Sequence, residues 1–219
     1  MLTAIESRVL GCLLEKERTV PDQYPLTLNT LVTACNQSTS REPVMHLIDH
    51  DVEVALASLK AQGLLRYVHP AHGRSVTRYR QVADEAWGLD APASALIGVL
   101  LLRGPQTSAE LRSRTERWHS FESAQQLETA MFELVAASMV EALPRQPGHK
   151  EHRWRQLLAE AVDVPVDADA VSPVERSAHA DAQAGPSTAD RLAAVERRVA
   201  RLESVLADLL PTEDAADAG

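Results

Sequence analysis

Few side chains in this sequence have the type and spacing that chemistry requires, and the first to weigh are histidines. His46 and His50 stand four apart with Asp49 beside them, a spacing that sets two imidazoles on one helix face as zinc ligands would be. No third ligand stands at a matching distance along the chain, and His69 and His72 fall in a separate turn-rich stretch. The sequence also lacks a glycine-rich phosphate loop and a nucleophile motif. No enzyme, metal or cofactor is expected.

Arginines carry the other candidate chemistry. Arg78 and Arg80 are two apart in an alternating stretch, so on a strand both point to one face and Tyr79 to the other. Arg153 and Arg155 repeat this around Trp154, with Arg74 and Lys150 nearer the turns. Such pairs suit contact with the phosphates of double-stranded DNA, and they equally suit an ordinary solvated strand face. Arg112, Arg114 and Arg117 make a further basic stripe open to the same two readings. Tyr79 and Trp154 read as core aromatics. Cys12 and Cys35 each lie in an apolar helical stretch and read as buried free thiols of a reducing compartment rather than a disulfide.

The elements that position these residues emerge from an internal repeat. Shifted by 75 positions, Val52–Leu59 falls on Leu127–Leu134, Gly73 on Gly148, and Arg78-Tyr79-Arg80-Gln81 on Arg153-Trp154-Arg155-Gln156. Upstream the register becomes 88, with Leu13-Leu14 on Leu101-Leu102 and Thr19 on Thr107. The first copy therefore holds 13 extra residues between Thr19 and Asp51. That interval contains Ser40, Arg41, Glu42 and Pro43, a turn-forming loop absent from the second copy. It is either a contact point for a protein partner or a structural loop in which Arg41 and Glu42 pair locally.

Each copy reads as three helices and a hairpin. Thr3-Ala4-Ile5-Glu6 and Thr107-Ser108-Ala109-Glu110 are capping boxes. Ile5, Val9 and Leu13 form one stripe of the first helix, which runs to about Glu17. A second helix is expected near 26–36 and a third near 49–62, closed by Gly63. The third helix of the second copy is expected near 122–138, with strands at 64–68, 76–82, 140–145 and 151–157. This order is that of a winged helix-turn-helix domain. The expected fold is mainly α with small β-hairpins: winged helix-turn-helix domains at 1–85 and 86–160, an acidic linker at 161–189, a coiled-coil helix at 190–210 and a disordered tail at 211–219.

Charge follows that division. Residues 1–85 carry 9 basic and 10 acidic side chains, residues 86–160 carry 8 and 9, and the remainder 5 and 12. The net charge of −9 thus resides in the tail, and the near-neutral domains give no independent support for DNA binding. Leu192, Val195, Val199, Leu202, Leu206 and Leu209 alternate three and four apart, the seam of a coiled coil. Arg191 and Arg198 stand five before Glu196 and Glu203, the charge pattern of a parallel homodimer; the other reading is a helix docked on its own domains. The start lacks the basic and apolar regions of a signal peptide, and the longest apolar run, Ala95 to Leu102, is far short of a membrane span. A soluble cytoplasmic protein without membrane contact is expected.

Several blocks carry a family resemblance: Gly11-Cys12-Leu13-Leu14-Glu15-Lys16, Asp22-Gln23-Tyr24-Pro25-Leu26-Thr27, Ala34-Cys35-Asn36-Gln37, Ser40-Arg41-Glu42-Pro43-Val44 and Leu100-Leu101-Leu102-Arg103-Gly104-Pro105-Gln106-Thr107. Glu110-Leu111-Arg112 and Pro147-Gly148 before Glu151 and Arg153 agree with them. With these blocks the chain resembles the bacterial YceH-like family of uncharacterised proteins. The resemblance implies a tandem winged-helix fold in a bacterial cytoplasmic protein and brings no activity with it. Two functions remain open: a DNA-binding regulator or accessory factor acting as a dimer through its wings, or a scaffold whose winged helices hold another protein. The DNA-binding regulator is the reading taken first, and it rests on the wings. The expected exposed positions of the third helices, Asp51, Glu53, Ser58 and Lys60, then Glu122, Gln125, Gln126, Glu128 and Thr129, include acidic groups that would repel phosphate.

Overall fold

The computed structural model describes residues 1–69, 76–145 and 151–160. Arg74, Lys150, the linker, the heptad residues Leu192 to Leu209 and the tail lie outside the described residues. What is described is mainly helical with small antiparallel sheets.

Local chemistry sets the helix starts. In α1 (Ala4–Thr19) the Thr3 hydroxyl accepts from the Glu6 N–H at 3.3 Å, and the Glu6 carboxylate accepts from the Thr3 N–H at 2.7 Å. Thr107 and Glu110 do the same at α6 (Ser108–Thr115), with distances of 3.2 and 2.8 Å. Each box satisfies amides that the first helical turn would otherwise leave without partners. The α3 helix (Asp49–Ala61) is followed by Gly63 at φ 76°, the left-handed geometry that glycine adopts without a Cβ penalty.

The first copy consists of α1, α2 (Leu28–Cys35), α3 and a sheet of β1 (Leu26–Thr27), β2 (Leu65–Val68) and β3 (Arg78–Gln81) in the order β1-β3-β2. Tyr67 lies opposite Tyr79 and Arg66 opposite Arg80. A short helix, α4 (Ala83–Trp87), spans the expected boundary and ends on Gly88. The second copy runs through α5 (Ala91–Arg103), α6, α7 (Ala124–Ala136), β4 (Val140–Ala142) and β5 (Trp154–Gln156). Gln106 and Trp154 exchange backbone hydrogen bonds of 3.0 and 2.7 Å, standing where β1 meets β3 in the first copy.

The two copies share one packed interior, and the described residues gather into one compact unit. The stripe expected on α1 is too narrow. Leu10, Cys12 and Leu14 are buried alongside Val9 and Leu13 because α2 and α3 cover one face and α5 covers another. A helix apolar over most of its circumference belongs in such a central position. In α5 every residue from Ser94 to Leu102 is buried. At Gly11 α1 packs tightly on α5: a Cβ there would lie 2.8 Å from the Leu102 Cγ. The chain start is also tied to the second copy, since the Leu2 N–H donates to the Leu158 carbonyl at 2.8 Å and the Glu160 N–H to the Leu2 carbonyl at 2.9 Å.

Candidate functional site

Arg78 and Arg80 lie on β3, Arg155 lies on β5 and Arg153 just before it, and their own chain engages them. Arg78 donates to the carbonyls of Pro25 at 2.8 Å and Gln23 at 3.4 Å, bracing the loop before β1. Arg80 and its cross-strand neighbour Arg66 share Glu85, at 3.6 and 3.3 Å. Arg153 lies 3.6 Å from Glu110, and Arg155 pairs with Glu141 across the β4–β5 ladder. These are largely exposed pairs worth about 0–1 kcal/mol each, so they order the side chains more than they stabilise the fold. A phosphate approaching these hairpins meets a carboxylate beside Arg80, Arg153 and Arg155, and none on Arg78. Arg66 escaped notice in the sequence because its interest comes only from the hairpin register that sets it against Arg80.

On the opposite strand face, Tyr79 stands edge-on to Tyr67 with ring centroids 5.1 Å apart, and the Lys60 ammonium lies 4.3 Å above the Tyr67 ring. Trp154 is buried, and its indole N–H donates to the Ser108 hydroxyl at 3.0 Å. The residues around α6 diverge. Arg112 is exposed, beside a groove of about 620 Å³ lined also by Ser108, Glu116, Leu127, Glu128 and Glu151. Arg114 reaches Glu110 at 3.2 Å, while Arg117 lies exposed beyond the helix end.

His50 opens the first turn of α3, whereas His46 lies in the extended segment before it, so the two do not share a helix face. Among the described residues no three His, Cys, Asp or Glu side chains gather to hold a metal.

The inserted loop turns inward. Arg41, on average fully enclosed, makes five hydrogen bonds: two to the Glu15 carboxylate at 2.5 and 3.3 Å, and one each to Ala34 O, Ser40 O and Gln37 Oε1. Its ionic partner is therefore Glu15 on α1 rather than the adjacent Glu42. Burial raises the Glu15 carboxyl, but the Arg41 hydrogen bonds and charge, with Lys16 at 3.3 Å, outweigh it and hold Glu15 below the usual carboxylate range. Ser40 adopts φ 61°, and its hydroxyl accepts from Arg103 at 2.6 Å. The Glu42 N–H donates to the Leu102 carbonyl at 2.8 Å, and the Pro43 carbonyl accepts from Arg8 at 2.5 Å. Outside, the loop exposes Ser38, Thr39, Glu42 and His46 together with Val44 and Ile48 at its far end.

The third helices complete the surface. Glu53 and Lys60 on α3 are exposed, as are Glu122, Gln125, Gln126, Glu128 and Thr129 at the start of α7. They also expose Val54 at 56%, Phe132 at 62% and Val135 at 38%. In α7 the buried stripe is Leu127, Ala130, Met131 and Leu134, so the helical period itself leaves Phe132 and Val135 on the outer side. That signal was present in the sequence. Phe132 stands edge-on to Trp154, with centroids 6.4 Å apart.

Comparison with known proteins gives the family. A model described as a protein of unknown function, DUF480, matches residues 2–149. The chain belongs to the DUF480 family. It is similar to a UPF0502 protein of Solibacter usitatus, 44% identical over 203 residues that cover 92% of this chain and 93% of that protein. UPF0502 proteins of Acidovorax sp. and Pseudomonas fluorescens are 41% and 42% identical over 211 residues, covering 94% and 96% of this chain and 91% and 94% of theirs. DUF480 membership agrees with the bacterial resemblance carried by the sequence blocks. Among the described residues no helix is long and apolar enough to cross a membrane.

Proposed function

We propose that this DUF480 protein is a non-enzymatic docking module: two winged helix-turn-helix copies whose third helices hold another protein, in a chain paired with a second copy through its heptad segment. The observation that carries this reading is the outer face of α7, where Phe132 and Val135 are exposed and every charged side chain of the helix is acidic. Exposed aromatic and aliphatic side chains of this kind mark protein contact surfaces when they cluster. Carboxylates on the helix that would enter a DNA groove repel phosphate, and Arg80, Arg153 and Arg155 are each engaged by a carboxylate, Glu85, Glu110 and Glu141.

A DNA-binding regulator is the second reading. It is favoured by Arg112 and Arg117, exposed and outside the ion pairs of the described residues, and by Gln125, Gln126 and Thr129 on the first turns of α7. Amide side chains there are of the kind that read base edges. A photo-crosslinking phenylalanine at position 132, activated in living bacterial cells, separates the two. A discrete protein adduct is expected. A nucleic-acid adduct, or none at all, sinks the docking reading.

A further inference from the structure

Behind the inserted loop lies a cluster of ionisable groups that the docking surface does not use. Arg8 is 1% exposed, and Arg41, Glu15, Cys12 and Cys35 are buried beside it. The Glu15 carboxylate is taken up by Arg41 and Lys16. Arg8 reaches only backbone carbonyls, those of Cys35 at 3.1 Å and Pro43 at 2.5 Å, and its Nε has no hydrogen-bond partner. Arg8 is therefore a buried guanidinium with no carboxylate partner beside one that has Glu15, and an uncompensated buried cation is costly.

The remaining ionisable side chains at the site are the two thiols. Arg8, Cys12 and Glu15 are spaced four and three apart on α1 and so share one face. That face meets the end of α2: Arg8 bonds the Cys35 carbonyl, and Arg41, held by Glu15, bonds the Ala34 carbonyl at 3.0 Å. Cys12 thus lies on the α1 face between the two guanidinium attachments to the end of α2, where Cys35 is also buried. Burial raises the Cys12 thiol, but the Cys35 hydrogen bond and the charges of Arg41 and Arg8 outweigh it and bring it below its ordinary value. Cys35 is pushed up, first by its hydrogen bond to Cys12 and then by burial.

We propose that Cys12 is held as a thiolate, as the missing counter-ion of the buried Arg8, and that it is a site of oxidation by small uncharged peroxides. Guanidinium neighbours of this kind stabilise thiolates elsewhere in proteins. The chemistry balances in two steps. The Cys12 sulfur attacks a peroxide oxygen, the O–O bond breaks, and a sulfenic acid forms as hydroxide leaves and takes a proton from solvent. The Cys35 sulfur then displaces the sulfenic oxygen as water, joining the two sulfurs. Overall two electrons pass from the thiols to the peroxide. Both sulfurs are fully enclosed, so bulky alkylating reagents are excluded until the site opens.

The S–H stretching band in the Raman spectrum of the reduced, full-length protein tests the charge state without any substitution. With two cysteines in the chain, the native band at neutral pH is expected at half the intensity it gains on acid unfolding, when both sulfurs carry hydrogen. A native band already at full intensity overturns the thiolate. Arg8→Met should restore the second S–H in the folded protein, and its failure to do so counts against Arg8 as the stabilising charge. For the oxidation, native protein treated with hydrogen peroxide should lose the mass of two hydrogens, and Cys35→Ala should stop at a sulfenic acid trapped by a dione reagent. An unchanged mass overturns the modification.

Discussion

Replacing Arg41 with Met tests whether the inserted loop is a strut inside the molecule. The substitution keeps most of the side chain's bulk while removing five hydrogen bonds, two of them to Glu15, from a guanidinium with no exposed surface. It strands a carboxylate whose side chain is 12% exposed. Removing one member of a buried ion pair costs about 3–5 kcal/mol, and the surviving Lys16 contact at 3.3 Å argues for the lower end, about 3 kcal/mol. For a unit of this size that corresponds to a fall in Tm of about 6–12 °C. Calorimetry of the wild type, Arg41→Met, Glu15→Met and the double variant closes the cycle. The double variant should recover most of the loss, because two apolar side chains leave no charge behind. The pH dependence has a definite sign. Glu15 is held low in the native state, so its stabilising share is present above the ordinary carboxylate range and lost as pH falls. Arg41→Met lacks that share at every pH, so the deficit should narrow on acidification. A deficit under about 1 kcal/mol, or a double variant with merely additive losses, would refute a buried coupled pair.

Gly98→Ala should destabilise although alanine favours helix by about 1 kcal/mol, because a Cβ there runs into the Trp118 ring; overpacking of about 1–3 kcal/mol should prevail in urea denaturation. Phe132→Ser should leave stability within about 0.5 kcal/mol, since the ring is mostly exposed, while protein crosslinking from the neighbouring Val135 position disappears; retained crosslinking would move the docking surface elsewhere. Fluorescence anisotropy with mixed duplex DNA should show little binding across about 50–200 mM salt. Tight binding that weakens steeply with salt, and is lost when Arg78, Arg80, Arg153 and Arg155 become Ala, would revive the wings as a phosphate surface.

The parts of this fold legible in the sequence were those decided within a few residues of one another. The capping boxes at Thr3 and Thr107 declare themselves by a three-residue spacing, Gly63 by its place after a helix, and the strands by alternation. Contacts across long stretches of chain were not legible. The apolar pattern of α1 shows that Leu10 and Leu14 avoid water without showing that α5 covers them. Arg41 and Glu42 suggested a local pair because they are adjacent, but Glu15, 26 residues away, offers a carboxylate already buried against the same loop. The short strand β1 and helix α4 were missed for another reason: two and five residues are too few to impose a period.

The asymmetry between the copies has a physical reading in these same contacts. The last carbonyls of any helix lack intrahelical partners. At the end of α5, the Leu100 carbonyl accepts from Gly104, the Leu101 carbonyl from the Ser7 hydroxyl and the Leu102 carbonyl from the Glu42 N–H. Two of these three donors belong to the first copy, and one belongs to its insertion. Arg103, the last residue of α5, also donates to Ser40 in the same loop. The extra residues thus finish the first helix of the second copy while Arg41 anchors them to the first helix of their own. One loop therefore joins both copies, through Ser40 and Glu42 to α5 and through Arg41 to α1.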